Sequence, residues 1–304
     1  MRRRPPPRAL EWAARAVGDG ARVISVRRLR GGMSSAVHAL AIEDASRRRH
    51  RLVLRRFVRA GWLAAEPDLA RREATALTLL EHSEVPAPRL VAFDETAEAT
   101  DVPAVLMTRL EGRPSLAPED FEPYLRAQAE LLPHIHAVPG DASGLPPYRR
   151  YYPSPSVPAH TEHPEVWRTL MAYASTPPPE TPSVFIHRDY HPGNVLWSRR
   201  RLTGVVDWVN ACLGPPEVDA GHARWNLAQL FSVEAADAFL EAWLAVEGRT
   251  SHDPYWDVVC LLDSGKIEDA LAGWRDAGRT DPTIEDAYRR RDAYAVSLAR
   301  QIRV

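Results

Sequence analysis

The sequence is poor in two residue types that often carry chemistry or charge. Its 304 residues include two cysteines, Cys212 and Cys260, and a single lysine, Lys266. Two distant cysteines form neither a disulfide framework nor the paired spacing of a zinc site, so we expect both to be packed thiols. Because arginine, alanine and proline are abundant, the scarcity of lysine indicates a composition bias of the genome.

Long apolar runs and a strong net charge are also missing. No stretch reaches the roughly 20 apolar residues of a membrane-spanning helix, and the basic start, residues 1–9, lacks the apolar run of a secretory signal. The formal net charge is -1, and the basic runs at 47–51 and 199–201 fall at predicted hairpin turns. We therefore expect a cytoplasmic protein that binds neither nucleic acid nor membrane.

The first third of the chain predicts a β-sheet with one helix. Hydrophobic residues make up 45% of the sequence, which is enough for a core and, at this length, for two modest domains. Five segments have the composition of strands and are bounded by turn residues: 22–29, 36–42, 51–58, 89–93 and 104–110. Apolar residues within 66–82 recur at helical spacing.

The remainder predicts mainly helices, with one strand pair as the exception. Helical periodicity, with interruptions, covers 118–137, 164–174, 217–247, 254–276 and 282–301. Residues 139–160 are rich in Pro, Tyr and Arg, and we favour a solvated loop over a segment that covers a pocket. The predicted organisation is a basic tail and short helix over 1–21, a β-rich part over 22–111 and a helical part over 112–304.

One polar segment carries the chemistry. Asp189, preceded by His187 and Arg188, is followed by Asn194 at the spacing of a kinase catalytic loop. Phosphoryl transfer requires a carboxylate near the attacking hydroxyl and separate oxygen ligands for magnesium. If the following hairpin turns at Arg200, Asn194 lies across from Asp207, and two oxygen ligands face one ion.

This segment has two other interpretations, a zinc site and a chance polar loop. His187 and His191 have the i, i+4 separation of helical zinc ligands, but Pro192 and Gly193 oppose a helix and a third ligand is not evident. A chance polar loop would require three functional residues to fall at functional spacing by coincidence. Phosphoryl transfer is the interpretation we favour.

Residues 187–194 and 205–208 resemble the catalytic and metal motifs of the aminoglycoside phosphotransferase and choline kinase superfamily. Residues 29–37 resemble the nucleotide loop of that family, Glu73 its helix glutamate, and residues 106–112 its hinge. The resemblance implies an α+β, bilobal protein-kinase-like fold. Its N-lobe would hold a five-stranded antiparallel sheet plus helix and bind the nucleotide, and its C-lobe would be mainly helical.

The resemblance also implies roles for individual residues, with ATP and Mg²⁺ as cofactors. Asp189 would be the base or hydroxyl-orienting group, Asn194 and Asp207 would bind magnesium, and Asp219 would be structural. Nucleotide-binding roles fall to Gly31, Gly32, Ser34, Ser35, Arg55, Glu73, Thr108 and Leu110. The glycines and serines would cover the phosphates with backbone N–H groups, and the main chain of Thr108 and Leu110 would hold the adenine.

Two positions depart from the family pattern. Arg55 stands where the third strand usually offers a lysine, and Arg188 stands where relatives often have glycine. An arginine keeps the charge and can fork onto phosphate oxygens, but it is bulkier than lysine. Since alternation points Arg55 and Arg56 to opposite faces of the strand, two interpretations stay open. Arg55 pairs with Glu73, or Arg55 is a solvated strand residue and the true partner is Arg56 or no arginine.

The implied function is transfer of the γ-phosphoryl group of ATP to a hydroxyl of an aminoglycoside-, macrolide- or amino-alcohol-like small molecule. Pro215-Pro-Glu217 follows Asp207 too closely for the peptide platform of a protein kinase. Asp253, Asp257, Asp263 and Glu268 are candidate contacts for a cationic acceptor, although a solvated helix face explains them better. Trp225, Tyr255 and Trp256 are candidate contacts for an apolar acceptor, although core packing explains them better. The alternative is a catalytically weak or inactive nucleotide-binding regulatory module.

Overall fold

In the computed structural model of the chain, the described residues are 4–29, 35–140, 144–152 and 154–302. The chain divides into two compact units. The first unit is Met1–Gly112 together with Thr203–Ala211, and the second is Arg113–Leu202 together with Cys212–Val304. A short segment from late in the sequence therefore belongs to the first unit.

The first unit is built on a five-stranded antiparallel sheet, as the sequence predicts. Its strands are β1 (Arg22–Arg28), β2 (Ala36–Glu43), β3 (Arg49–Arg56), β4 (Leu90–Asp94) and β5 (Ala104–Thr108). The order is β1-β2-β3-β5-β4, so β5 inserts beside β3. Arg55 faces Val37 on one neighbour and Val105 on the other, which fixes it in the middle of the sheet.

Three helices accompany this sheet: α1 (Pro7–Val17), α2 (Ala60–Ala65) and α3 (Leu69–Leu80). Trp12 and Ala13 of α1 pack with Leu40, Leu54 and Leu106 of the sheet to form a core. The sequence predicts one helix over 66–82, and the structure adds the short α2 before it. Because α2 buries none of its six residues, it leaves no apolar stripe in the sequence.

The late segment of the first unit is tied to its main chain. The Val205 N–H donates to the Pro86 carbonyl at 2.8 Å, and the Thr203 hydroxyl donates to the Glu111 carbonyl at 2.7 Å. A Cβ on Gly204 would lie 2.3 Å from Cδ1 of Leu110 and 2.8 Å from the Pro86 oxygen. Only glycine fits there, and this close approach sets the position of the residues that follow it, including Asp207.

The second unit is mainly helical. Its helices are α4 (Phe121–His136), α5 (Pro164–Tyr173), α6 (Pro216–Leu230), α7 (Val233–Glu247), α8 (Tyr255–Leu262), α9 (Ile267–Asp276) and α10 (Ile284–Gln301). The two long helical stretches of the sequence are each divided into two helices. Ser232 accepts the N–H of Ala235 and so begins α7. No helix in these described parts of the chain is long and apolar enough to cross a membrane.

Short strands frame the loop that bears Asp189. They are β6 (Arg113–Pro114), β7 (Val184–Ile186), β8 (Val195–Ser198), β9 (Arg201–Val205) and β10 (Cys212–Gly214). Within the second unit β7 pairs with β10, and β6 pairs with β8. These pairings exceed the single strand pair predicted, because strands of two to four residues are too short to show alternation. The loop between β7 and β8 is held at both ends.

Candidate active site

Helix α6 anchors the loop between β7 and β8. Asp219, fully buried on this helix, accepts the backbone N–H of His187 at 2.9 Å and that of Arg188 at 2.6 Å. Arg188 has a φ of 65°, a conformation that favours glycine and that these bonds sustain. Asp219 therefore fixes the backbone on which Asp189 stands.

The carboxylate of Asp189 is surrounded by donors from its own unit. The Asn194 amide donates to the Asp189 carbonyl at 2.9 Å and to its Oδ2 at 3.3 Å. Nε2 of His222 lies 3.1 Å from Oδ1, and Nε2 of His191 lies 3.7 Å from the same atom. Burial raises the pKa of Asp189, but the His222 hydrogen bond and the electrostatic effect of the neighbouring histidines outweigh it and hold that pKa below its usual range. Asp189 is therefore a carboxylate at neutral pH.

The orientation of His191 is set by the loop. Its Nδ1 accepts the N–H of Gly193 at 3.0 Å, which puts the proton of the neutral ring on Nε2, the nitrogen that faces Asp189. A Cβ on Gly193 would lie 2.6 Å from the His191 ring. Gly193 thus allows the histidine to fold back over the loop.

His222 is the contact that sequence reasoning missed. It follows Asp219 by one helical turn on α6, so both side chains reach the same loop. Its ring also contacts Trp225 and His191, with centroids 5.3 and 5.9 Å apart. The spacing of His222 from Asp219 is a signal in the sequence, but it becomes informative only once Asp219 is known to lie against the loop that bears Asp189.

The first unit contains a second charged cluster. Nη1 of Arg55 lies 2.9 Å from Oε1 of Glu73 and 2.6 Å from Oδ1 of Asp207. The Arg55 and Glu73 side chains are 4% and 1% exposed, whereas Arg56 turns to the other face and pairs with Asp101. The question left open by the sequence is thereby answered, because Arg55 is buried against Glu73.

Burial and charge act in opposite directions on this cluster. Burial raises the pKa of Glu73 to about 7, although Arg55 works against the shift. Burial disfavours the charged form of Arg55, but Asp207 and Glu73 prevail and raise its pKa above the usual value. Nε and Nη2 of Arg55 are buried without a partner in the described parts of the chain. Two unused donors on a permanent cation suit an anion such as a phosphate.

The predicted magnesium ligands offer hard oxygen donors. Because the NH₂ of Asn194 is directed at Asp189, its amide oxygen points away from that residue and is free to act as a ligand. Asp207 contributes a carboxylate that is 28% exposed, and oxygen ligands of this kind fit Mg²⁺. Over the described ranges, no group of three or more His, Cys, Asp and Glu side chains forms a metal site.

The remaining predicted nucleotide residues are placed in part. Ser35 is buried, whereas Gly31, Gly32 and Ser34 lie outside the described residues. Thr108 ends β5, and its N–H donates to the Arg89 carbonyl at 2.8 Å. A main-chain contact of Thr108 with adenine would therefore have to use its carbonyl oxygen. Leu110 packs its side chain against Gly204.

Comparison with known proteins decides the family. The family model described as "Phosphotransferase enzyme family" matches residues 25–255, which is most of the chain. The chain belongs to this phosphotransferase family. The match runs through both charged clusters and ends within α8.

Solved structures share the fold of this chain. The macrolide 2'-phosphotransferase MphH from Brachybacterium faecium has a TM-score of 0.56 at 18% identity, covering 90% of this chain and 99% of its own. A thermostable mutant of aminoglycoside phosphotransferase APH(4)-Ia, in a ternary complex with AMP-PNP and hygromycin B, has a TM-score of 0.62 at 17% identity, covering 96% and 99%.

A curated relative matches over a shorter stretch. The Arabidopsis thaliana protein named "Probable acyl-CoA dehydrogenase IBR3" is 25% identical over 192 residues, which cover 54% of this chain and 23% of the relative. The chain thus spans about a quarter of the length of that relative.

The residues predicted as acceptor contacts already make hydrogen bonds, ion pairs or core contacts within the second unit. Asp257 is buried and bonded to Arg224 and His252, Asp253 accepts from Tyr173, and Glu268 accepts from Tyr288. Asp263 accepts two backbone N–H groups. Trp225, Tyr255 and Trp256 are buried core residues. None of the four predicted carboxylates is left without a partner for a polycationic acceptor.

Proposed function

We propose that this phosphotransferase moves the γ-phosphoryl group of ATP to a hydroxyl of a small molecule, with Mg²⁺ as cofactor. The pairing of Asn194 with Asp189 carries the proposal. It joins the hydroxyl-orienting carboxylate to a residue whose amide oxygen is left for a cation, as phosphoryl transfer requires. The family match supports the same reaction class.

In the proposed step the acceptor oxygen attacks the γ-phosphorus, the bond to the β,γ-bridging oxygen breaks, and ADP leaves. The proton of the hydroxyl passes to Asp189. Because its pKa is lowered, Asp189 is a weak base and takes the proton late, after it has oriented the hydroxyl. A loose transition state, in which the nucleophile needs little activation, tolerates such a base.

The other residues would bind and orient the nucleotide. We propose that Arg55, positioned by Glu73, contacts the phosphates through Nε and Nη2, and that Gly31, Gly32, Ser34 and Ser35 also bind the phosphates. Thr108 and Leu110 would meet the adenine. Asn194 and Asp207 would hold Mg²⁺, which supplies positive charge to the phosphate oxygens.

A second candidate is a nucleotide-binding module with weak or no transfer activity. The contact of 2.6 Å between Arg55 and Asp207 favours it, because an arginine on that carboxylate competes with a metal ion. The family's usual lysine would be a smaller competitor. The first experiment separates the two candidates.

That experiment measures Mg²⁺-dependent ATP consumption of the purified chain against a panel of hydroxylated small molecules. The panel includes aminoglycosides and macrolides, since the two structural neighbours are named for such compounds, as well as amino alcohols, sugars and sugar acids. Turnover that requires an acceptor and is lost in Asp189→Ala and Asp207→Ala supports the kinase. Tight binding of MgATP with no turnover on the whole panel supports the binding module.

A further inference from the structure

Two arginines of the second unit lack the counter-ions that buried arginines normally have. Arg188 is buried and directly precedes Asp189, and Arg150 is half-buried in the segment before α5. No carboxylate lies within ion-pair distance of either guanidinium in the described parts of the chain. Nε of Arg188, and Nε and Nη2 of Arg150, are shielded from solvent and have no hydrogen-bond partner there.

The two guanidinium groups share one neighbourhood. Arg188 donates to the carbonyl of Arg149, the residue bonded to Arg150. Its Cζ lies 3.8 Å from the ring centroid of Tyr151 and 5.5 Å from that of Tyr148. Burial raises the pKa of Tyr148, and both Arg188 and Arg150 act against the rise. Both positive charges are therefore close to the Tyr148 hydroxyl.

The carboxylates around this pair are used elsewhere. Asp263 accepts the backbone N–H groups of Tyr151 and Tyr152 at 2.9 and 2.6 Å. Asp219 accepts the backbone N–H groups at the start of the catalytic loop. Neither of them neutralises a guanidinium, and the stacking of Arg188 on Tyr151 compensates its charge only in part.

Arg224 shows how the same unit treats a buried arginine that serves structure alone. It is fully buried and is paired with Asp257 and Asp237. Since an uncompensated buried charge is strongly destabilising, two neighbouring cations that have no carboxylate partner among the described residues indicate a site that an anion completes. Arg188 directly precedes Asp189 in the chain, which puts that site next to the loop that bears Asp189.

We propose that the acceptor of this phosphotransferase carries an acidic group, a carboxylate or a phosphate, which binds Arg150 and Arg188 while its hydroxyl reaches Asp189. This inference rests on the proposed function and narrows it. The acceptor class is a hydroxylated small acid, such as a sugar acid or a sugar phosphate. A polycation would be repelled by the same two groups.

The test compares ligands that share one hexose frame and differ in charge. Binding of glucuronate, glucose 6-phosphate, glucose and glucosamine to the full chain, saturated with Mg²⁺ and AMP-PNP, is measured by calorimetry. We expect at least one of the two acids to bind ten or more times as tightly as glucose, and glucosamine to bind no better than glucose. The acid that binds more tightly shows whether the acidic group of the acceptor is a carboxylate or a phosphate.

Variants locate the effect. Arg150→Gln and Arg188→Gln should each reduce the binding of the acid at least tenfold, because a charge-assisted bond is lost. Arg188→Lys keeps the charge and is the control that separates loss of charge from loss of packing. Arg149→Gln is the matched control, since this neighbour is exposed and offers Arg188 only its carbonyl. It should bind the acids as the native chain does.

The outcomes separate this inference from the proposed function. Binding of an acid that requires both arginines, without phosphoryl transfer to any acceptor, would support the anion site and contradict the proposed kinase activity. Transfer to neutral or cationic acceptors, with the same kcat/KM in Arg150→Gln as in the native chain, would support the kinase activity and overturn the inference. Equal binding of all four ligands, or binding of acids that survives in the Arg150→Gln/Arg188→Gln variant, also overturns it.

Discussion

The two units hold their key aspartates in different ways. Asp207 of the first unit is bonded to the permanent cation of Arg55, which is buried and also bonded to Glu73. Asp189 of the second unit has no arginine or lysine partner among the described residues and is contacted by His222, His191 and an amide. A permanent cation clamps a carboxylate, whereas these weaker donors orient it and leave it able to accept a bond from a substrate.

The largest effect should come from removing the two carboxylates in turn. Asp189→Asn keeps the shape of the loop but loses the proton acceptor, so turnover should fall by about two to four decades while MgATP affinity is unchanged. Asp207→Asn should weaken MgATP binding as well. Calorimetry with MgATP and a turnover assay check both predictions. An equal loss of MgATP affinity in the two variants would contradict the proposed difference between Asp189 and Asp207.

Removing the cation of the first cluster should be the next largest effect. Arg55→Ala leaves Glu73 and Asp207 facing each other without a counter-ion, and breaking such a pair costs about 3 to 5 kcal/mol. Urea denaturation measures the loss. Arg56→Ala is the matched control, because the partner of Arg56, Asp101, is 31% exposed, and we expect less than half the effect. Similar losses in both variants would show that burial of Arg55 is not decisive.

The pH dependence of stability should reveal the titration of Glu73. Its pKa is raised from 4.5 to about 7 in the folded state, so the folded chain holds this proton more tightly than the unfolded chain. The associated stability is fully present below about pH 4.5 and is lost as the pH rises to about 7, by up to about 3 kcal/mol.

Glu73→Gln removes this titration and is nearly the same size. The free energy of unfolding of the native chain, measured relative to this variant by urea denaturation, should fall between pH 4.5 and 7 and stay level above. A difference that is constant over the range would show that Arg55 keeps Glu73 ionised throughout.

The smallest effect concerns the donors around Asp189. His222→Ala removes one hydrogen bond that orients the carboxylate, so kcat should fall about tenfold, equivalent to about 1.4 kcal/mol, with little change in KM. His222→Gln can still donate and should recover most of the loss. If Gln is no better than Ala in steady-state assays, the ring acts through packing rather than through its N–H.

The sequence predicts each charged cluster in part. Asp189 and Asn194 fall in one short loop, so their spacing reveals their association. Arg55 and Asp207 are far apart in the chain, and their direct contact depends on the way Gly204 brings the late segment close to Leu110. His222 gives no signal of its own, because nearly every residue of α6 is buried and the helix shows no apolar stripe.

The fold shows the same limit. Strands of the main sheet have enough residues to display alternation, and all five are predicted within a few residues. The insertion of β5 between β3 and β4 depends on pairing between distant segments, which local pattern does not encode. The helical stretch 217–247 is divided at Ser232, whose capping side chain is a weak signal inside a continuous apolar pattern.

The assignment of Thr203–Ala211 to the first unit has a consequence for how the protein is made. Chains emerge from the ribosome in order, at about 5 to 20 residues per second. The sheet is complete once β5 has emerged, but the segment that carries Gly204 and Asp207 follows only after Arg113–Leu202. For several seconds during synthesis Arg55 and Glu73 therefore lack their third partner, Asp207, and a fragment ending at Gly112 would lack it permanently.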